Sequence, residues 1–264
     1  MSTMDISVVI LTFNSEKTIT RCLEALHESL ETLQLEYEVF IIDNGSDDRT
    51  MANLDSVASR FGERLHITRL ATNQGTTVSR NIALRKVTGR HVIIMDSDAY
   101  VEDKAIKGLR DYLLSNTSCG MAVPSMTYDD GRYQISSDQF PTLWRKCQRF
   151  FGLKTLEAAS SRQVSGPIDY AISAFWMIPR HVIDKVGLLD ERIFYSPEDV
   201  DYCIRVWRAG FSIHYNERLT IIHDAQEISR PNGLLGINRF TLSHIKGLLY
   251  LFLKHRYMWR PLRF

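Results

Sequence analysis

Only four of the 264 residues are cysteine, and Cys22, Cys119, Cys147 and Cys203 are scattered with no C-x-x-C pair. That spacing argues against a cysteine zinc site or a disulfide framework and fits a reducing compartment, with the cytoplasm as the expected location. No apolar run approaches the roughly 20 residues that cross a bilayer, and no signal-peptide pattern opens the chain, where Met1 to Asp5 lead into an amphipathic segment. Neither G-x-G-x-x-G nor G-x-x-x-x-G-K-[ST] occurs, which speaks against an ordinary dinucleotide fold and against a P-loop. The formal charge is +1 and no basic stripe runs through the body of the chain, so nucleic acid is not an expected partner. Internal repeats, low-complexity segments and linkers are missing as well, and the chain reads as one continuous domain. Carboxylates are absent from Ile228 to Phe264, a stretch with seven Lys or Arg, which leaves 25 basic and 31 acidic residues, about −6, in the rest.

With 44% hydrophobic residues the chain has enough apolar material for a substantial core. Ile6 to Leu11 reads as a buried strand, followed by a helix that Asn14 and Ser15 cap and that carries Ile19, Leu23, Leu26, Leu30 and Leu33 at helical spacing. Glu38 to Ile42 is a second strand, and Met51, Leu54, Val57, Ala58 and Phe61 mark a second helix. Leu65 to Leu70 is a third strand. A helix through Val87, stopped by Gly89, precedes the apolar run His91 to Met95. This βαβαβαβ order predicts an α/β fold with a parallel sheet and helices on both faces. Beyond it come a helix with Ala105, Ile106, Leu109 and Leu113 and a short strand at Met121–Val123. A long irregular stretch follows, containing Trp144 and the pair Phe150–Phe151. A strand at Ala171–Ile178, a helix opened by Ser196-Pro197-Glu198-Asp199, and strands at Phe211–Tyr215 and Leu219–Ile222 complete the pattern, ending at His223.

Asp96-Ser97-Asp98 stands where the strand His91–Met95 runs out. Two carboxylates there point into the crevice beyond the sheet edge, where open α/β sheets bind ligands, and their hard oxygens suit Mg²⁺ or Mn²⁺ with a ligand's phosphates. The tripeptide alone is a weak signal, since a solvated turn also accommodates it. A second acidic cluster, Glu198, Asp199 and Asp201, and the strand-end His223 sharpen it. Asp43-Asn44-Gly45-Ser46 marks another strand end, where Asp43 also suits a turn-capping role.

Five segments in order carry a resemblance: Val8-Val9-Ile10-Leu11-Thr12-Phe13-Asn14, Ile42-Asp43-Asn44-Gly45-Ser46-Asp47, Asn73-Gln74-Gly75 with Ser79-Arg80-Asn81, Asp96-Ser97-Asp98, and Ser196-Pro197-Glu198-Asp199-Val200-Asp201-Tyr202-Cys203. Together they resemble glycosyltransferase family 2, and Val164 to Tyr170 with Val186 to Glu191 are most similar to its rhamnosyltransferase-like bacterial members. The resemblance spans about the first 225 residues. It implies the GT-A fold: a Rossmann-like, mostly parallel sheet flanked by helices, a smaller mixed or antiparallel acceptor-side portion, and here a C-terminal helical tail. The implied division is a glycosyltransferase domain over residues 1–227, with a nucleotide-sugar half to about 100 and an acceptor half from about 101, and an extension over 228–264.

The implied activity is inverting transfer of a hexosyl or deoxyhexosyl group from a UDP- or dTDP-type donor to a hydroxyl of a glycan or lipid-linked acceptor. Breaking the anomeric bond loads charge onto a diphosphate, which a divalent cation stabilises. Asp98 is the expected metal ligand, Asp96 either shares the ion or holds the ribose, and His223 resembles the strand-end histidine that completes the shell. Asp199 is the expected general base, with Glu198 second or binding the acceptor sugar. A capping box at Ser196-x-x-Asp199, with Pro197 at the first helical position, fits the same residues, and Asp201 reads as structural. Asp43 resembles the residue that reads the base, Thr12 and Phe13 flank it beside Asn14, and Arg80 pairs with Asp43 or neutralises the diphosphate. Trp144, Trp176 and Tyr170 are candidates for stacking on an acceptor sugar.

The tail segment Lys246 to Arg256 is apolar in its middle and cationic at its flank. It suits an interfacial helix on anionic lipid, making the protein peripheral on the inner membrane face, or a helix packed on its own domain or a second subunit. A nucleotidyltransferase is disfavoured because Leu11-Thr12-Phe13-Asn14 lacks a Gly-rich basic loop, and the D-x-D-x-[TV] phosphohydrolase signature fails at Tyr100. A catalytically silent scaffold is disfavoured by the presence of Asp98 and Asp199.

Overall fold

Strands β1 (Ile6–Thr12) and β2 (Tyr37–Asp43) are apolar on both faces, and every residue but Leu11 is buried. Strands with two apolar faces need helices on both sides. The computed structural model, which describes residues 4–145, 164–225, 239–258, 262 and 264, supplies them. In chain order after β1 come α1 (Ile19–Leu33), β2, α2 (Thr50–Phe61), β3 (Leu65–Arg69), α3 (Thr76–Leu84), β4 (His91–Asp96), β5 (Ala99–Tyr100), α4 (Asp103–Ser115) and β6 (Cys119–Thr127). The second half holds β7 (Tyr133–Gln134), β8 (Ser137–Asp138), β9 (Gly166–Pro167), β10 (Tyr170–Ala171), β11 (Phe175–Pro179), α5 (Arg180–Val186), α6 (Glu198–Arg208), β12 (Ser212–His223) and α7 (Arg239–His255).

The main sheet runs β3-β2-β1-β4-β11-β6-β12-β5. The first four strands are parallel, and their register aligns Thr12 with Asp43 and Leu11 with both Ile42 and Asp96, so three strand ends meet at one edge. Alternate residues feed two cores. Val8 and Ile10 face α1, α2 and α4, whereas Val9 lies with residues of α3, α5, α6 and α7. This is the α/β architecture expected, with its parallel part followed by a mixed part.

Four expectations are corrected. The predicted strand Ala171–Ile178 is two elements: Tyr170–Ala171 pairs with β8 in a separate two-stranded sheet, and Phe175–Pro179 inserts antiparallel between β4 and β6. The separate strands predicted at Phe211–Tyr215 and Leu219–Ile222 are one strand, β12, whose register shifts between Asn216 and Thr220. Helix α1 starts at Ile19 and lacks the expected Asn14/Ser15 side-chain cap; Asn14 takes φ +51°, and the Ser15 carbonyl accepts from the Thr18 and Ile19 amides at 3.1 and 3.0 Å. Helix α3 ends at Leu84, and Gly89 does not stop it but donates its amide to Ser7 Oγ.

Cys22, Cys119 and Cys203 are buried thiols outside any disulfide. Cys147 and the Phe150–Phe151 pair lie outside the described residues. Among the described residues no helix is long and apolar enough to cross a membrane.

Candidate active site

The edge where β1, β2 and β4 end collects the polar groups that the sequence singled out. Asp96 closes β4, Ser97 and Asp98 form the turn, and Ala99 starts β5, which pairs antiparallel with the end of β12 so that His223 lies opposite Ala99. That crossing brings Asp98 and His223 together across 125 residues of sequence, and Asp96, Asp98 and His223 offer ligand atoms all within 4.8 Å of one another. His223 Nε2 is 3.3 Å from Asp98 Oδ1 and 4.0 Å from Asp96 Oδ2. Its other nitrogen, Nδ1, lies 2.9 Å from Gln134 Oε1. An amide oxygen only accepts, so Nδ1 carries the hydrogen and Nε2 is turned toward the carboxylates, the arrangement that orients a metal-binding imidazole. Two carboxylates and one imidazole are a donor set that fits Mn²⁺ or Mg²⁺. Burial lowers the His223 pKa, but the hydrogen bond and charge of Asp98 and the charge of Asp96 outweigh it, and the net shift is upward.

The expected pair of Arg80 with Asp43 is corrected: Arg80 pairs with Asp96. Its Nη2 donates to Asp96 Oδ1 at 2.5 Å, and its Nη1 donates to Ser173 Oγ at 2.7 Å. The Ser173 hydroxyl in turn donates to Glu198 Oε1 at 3.1 Å, and Arg80 Nη1 lies 3.8 Å from the same oxygen. The guanidinium, 1% exposed, therefore ties the first metal-ligand candidate to the acidic turn at the start of α6. The physical cause is the reversed strand. Because β11 runs antiparallel to β4, the residues just before it, Ser173 and Ala174, arrive at the edge where Asp96 sits, and the Asp96 amide donates to Ala174 O at 3.1 Å.

Glu198 and Asp199 open α6, whose N-cap is Pro197 and which has no side-chain cap. The expected capping box is thus absent; Asp199 Oδ1 accepts from the Val200 amide, and Ser196 Oγ is 3.0 Å from His244 Nδ1. Burial, then the charge of Asp199, pushes the Glu198 carboxyl up to about 8 against the pull of Arg80. Asp201, read as structural, has a buried carboxylate that accepts from Arg205, Lys254 and His255.

Asp43 is fully buried, and its carboxylate accepts from the Ser46 amide at 3.2 Å and from Ser46 Oγ at 2.5 Å, closing the Asn44–Gly45 turn. Thr12 beside it is buried with no hydrogen-bond partner for Oγ1 among the described residues, whereas Phe13 is 44% exposed. Phe13, Asn14, Lys17, Asp96, Ser97 and Asp98 line part of a cavity of about 330 Å³. Of the aromatic residues proposed for an acceptor, Trp176 is corrected: it is wholly buried, stacks on Tyr202 and donates Nε1–H to Ala171 O, so it belongs to the core. Tyr170 is half-buried and stacked on Phe140, and Trp144 is exposed.

Sequence reasoning missed Ser173 and Gln134. Both sit in or beside the loop-rich middle of the chain, and neither residue type nor spacing marks them, since their partners are 93 and 89 residues away.

The sequence profile of "Glycosyl transferase family 2" matches residues 7–187. The dTDP-rhamnosyl transferase RfbF of Shigella flexneri is 24% identical over 83% of this chain and 69% of its own length. The poly(ribitol-phosphate) beta-N-acetylglucosaminyltransferase TarS of Staphylococcus aureus is 33% identical over 39% of this chain, a span of only 18% of TarS. Its crystal structure (residues 1–349) in complex with UDP superposes with TM-score 0.60 at 21% identity, covering 83% of this chain and 60% of that one. GalNAc-T7, crystallised with UDP, GalNAc and Mn²⁺, gives TM-score 0.67 at 16% identity over 96% of this chain and 48% of its own. These structures share the GT-A fold with the present chain.

Proposed function

Since the chain belongs to glycosyl transferase family 2, we propose that it is a metal-dependent, inverting glycosyltransferase that moves a sugar from a UDP- or dTDP-type donor to a hydroxyl of a glycan or lipid-linked acceptor. The observation that carries this reading is the convergence of Asp96, Asp98 and His223 at the strand-end edge, joined through Arg80 and Ser173 to the acidic turn Glu198–Asp199. Mn²⁺ and UDP beside GalNAc-T7, UDP beside TarS and a dTDP-sugar in the name of RfbF support a donor of that class. A cation held by Asp98, His223 and Asp96 would neutralise the charge gathering on the diphosphate.

The chain's own groups have separate tasks in this reading. Thr12, Phe13, Asn14 and Asp43 form the wall for the base, Arg80 holds Asp96 in place, and Asp199 accepts the proton of the attacking hydroxyl as its oxygen bonds to the anomeric carbon. The bond to the diphosphate breaks in the same step, and the electron pair leaves with it. Glu198, buried and protonated up to about pH 8, is a hydrogen-bonding group rather than a proton acceptor near neutrality. Residues to about 100 act as the nucleotide-sugar half, and the acceptor half follows. The acceptor sits at an anionic membrane surface, to which the outer side of α7 binds. There Ile245, Leu249 and Leu253 are exposed at spacings of four residues beside Lys246 and Arg256, in a segment without carboxylates.

The test is a binding panel of UDP-, dTDP- and GDP-sugars with Mn²⁺ and with excess EDTA. UDP- or dTDP-sugar binding that needs the metal supports the reading. Binding of no nucleotide sugar, or equal binding in EDTA, overturns it.

A further inference from the structure

We propose that α7 is a clamp on the turn Ser196–Asp199, so that a helix outside the family-matched residues 7–187 fixes the working carboxylates. At the start of the turn, Gly247 lies so close to the Ser196 carbonyl oxygen and the Pro197 ring that a Cβ there would sit 2.8 Å from Pro197 Cδ and nearer still to the carbonyl. His244 Nδ1 meets Ser196 Oγ at 3.0 Å. Two helical turns beyond Gly247, on the same face, Lys254 Nζ bridges Asp201 Oδ1 at 2.5 Å and Asp190 Oδ2 at 2.7 Å. His255 Nε2 lies 2.7 Å from Asp201 Oδ1, and its Nδ1 accepts from Arg208 Nη1 at 2.8 Å. A guanidinium only donates, so Nε2 carries the hydrogen and donates to Asp201. Tyr250 adds a hydrogen bond to Asp190 at 2.8 Å, and Leu251 and Phe252 are buried between these contacts.

The grip therefore falls on both sides of Glu198–Asp199, at Ser196–Pro197 before and at Asp201 after. Helix α6 has no side-chain cap of its own, so its first turn lacks that local means of fixing its direction. Asp201 is wholly buried, and its charge needs the cations and N–H donors around it, two of which α7 brings. Displacing α7 leaves that charge underpaired one helical turn into α6 and frees the turn carrying Asp199. Misplacement of a reacting group by about 1 Å costs roughly a hundredfold in rate.

The inference rests on reading Glu198 and Asp199 as the working carboxylates, and the experiment separates the two. In the full chain, Gly247→Ala and Lys254→Met are compared with Lys254→Arg, measuring donor affinity, kcat, melting temperature and amide hydrogen exchange over residues 196–201. The expected result is donor affinity within about twofold of the parent, kcat down roughly ten- to hundredfold and faster exchange confined to 196–201, with Lys254→Arg restoring most of the rate. Parental kcat and exchange in both variants overturn the clamp. So does a loss in which donor affinity and kcat fall together with melting temperature, which marks general destabilisation; Lys254→Met decides the matter where Gly247→Ala does not fold. Asp199→Asn in the same assay reports on the base alone: retained turnover there overturns that assignment, while exchange at 196–201 still decides the clamp.

Discussion

Glu198 is buried beside Arg80 and Ser173, whereas its neighbour Asp199 is only half-buried, and the two carboxylates are therefore expected to answer differently to substitution. Asp199→Asn removes the proton acceptor while keeping size, so donor binding should survive and kcat fall by orders of magnitude; near-parental kcat, with Glu198→Gln inactive, would mean that the base is Glu198. Glu198 also has a stability signature. Its carboxyl is raised from 4.5 to about 8 by burial and by Asp199, so the folded state holds a proton that the unfolded state has released between those values. The native state then binds more protons, and the stability from Glu198 is full below about pH 4.5 and lost as pH rises to about 8. Melting temperatures of the parent and of Glu198→Gln across that window should cross over in the variant's favour with rising pH, and parallel curves would contradict the buried-acid reading. At the metal side, Gln134→Ala removes the group that orients His223, and the Mn²⁺ affinity should drop by about 10- to 100-fold, measured by calorimetry, with a smaller effect on melting.

At the scale of elements, α7 has two unlike sides. Its inner side contributes Leu251 and Phe252 to the second core, while Ile245, Leu249 and Leu253 remain 48%, 53% and 73% exposed. Cations near an anionic bilayer contribute up to about 1 kcal/mol each and are screened within a Debye length, so attachment should be reversible and weaken with salt. Flotation with anionic and neutral vesicles at low and high salt tests this on the full chain and on Leu249→Glu, which alters only the exposed side. Salt-independent behaviour, or equal flotation of the variant, would leave α7 as a packing element alone.

Across the whole molecule, one sheet with a core on each face carries the site at its edge, and Trp176 in β11 is one of the largest wholly buried side chains in it. Trp176→Ala should cost about 3–5 kcal/mol in denaturant unfolding, as for a large core residue, whereas an acceptor-stacking residue would lose acceptor affinity with stability little changed. The same substitution at exposed Trp144 should leave stability within about 0.5 kcal/mol.

The sequence alone determined the α/β class, the parallel strands that run out just before Thr12, Asp43 and Asp96, and the carboxylate and histidine candidates, because apolar periodicity and strand-end chemistry are local properties. Only the tertiary structure decided their partners. Whether Arg80 faces Asp43 or Asp96 depends on how α3 packs across the strand ends, and whether Ser173 reaches it depends on the direction of β11, of which an apolar run such as Phe175–Pro179 carries no mark. That reversal brings Ser173 to Arg80 and Ala174 to Asp96. Likewise the position of Gln134 behind His223, and of α7 against Ser196 and Asp201, comes from pairing across 89, 48 and 53 residues. Contacts at such separations are set by how the two cores close, which no local pattern encodes.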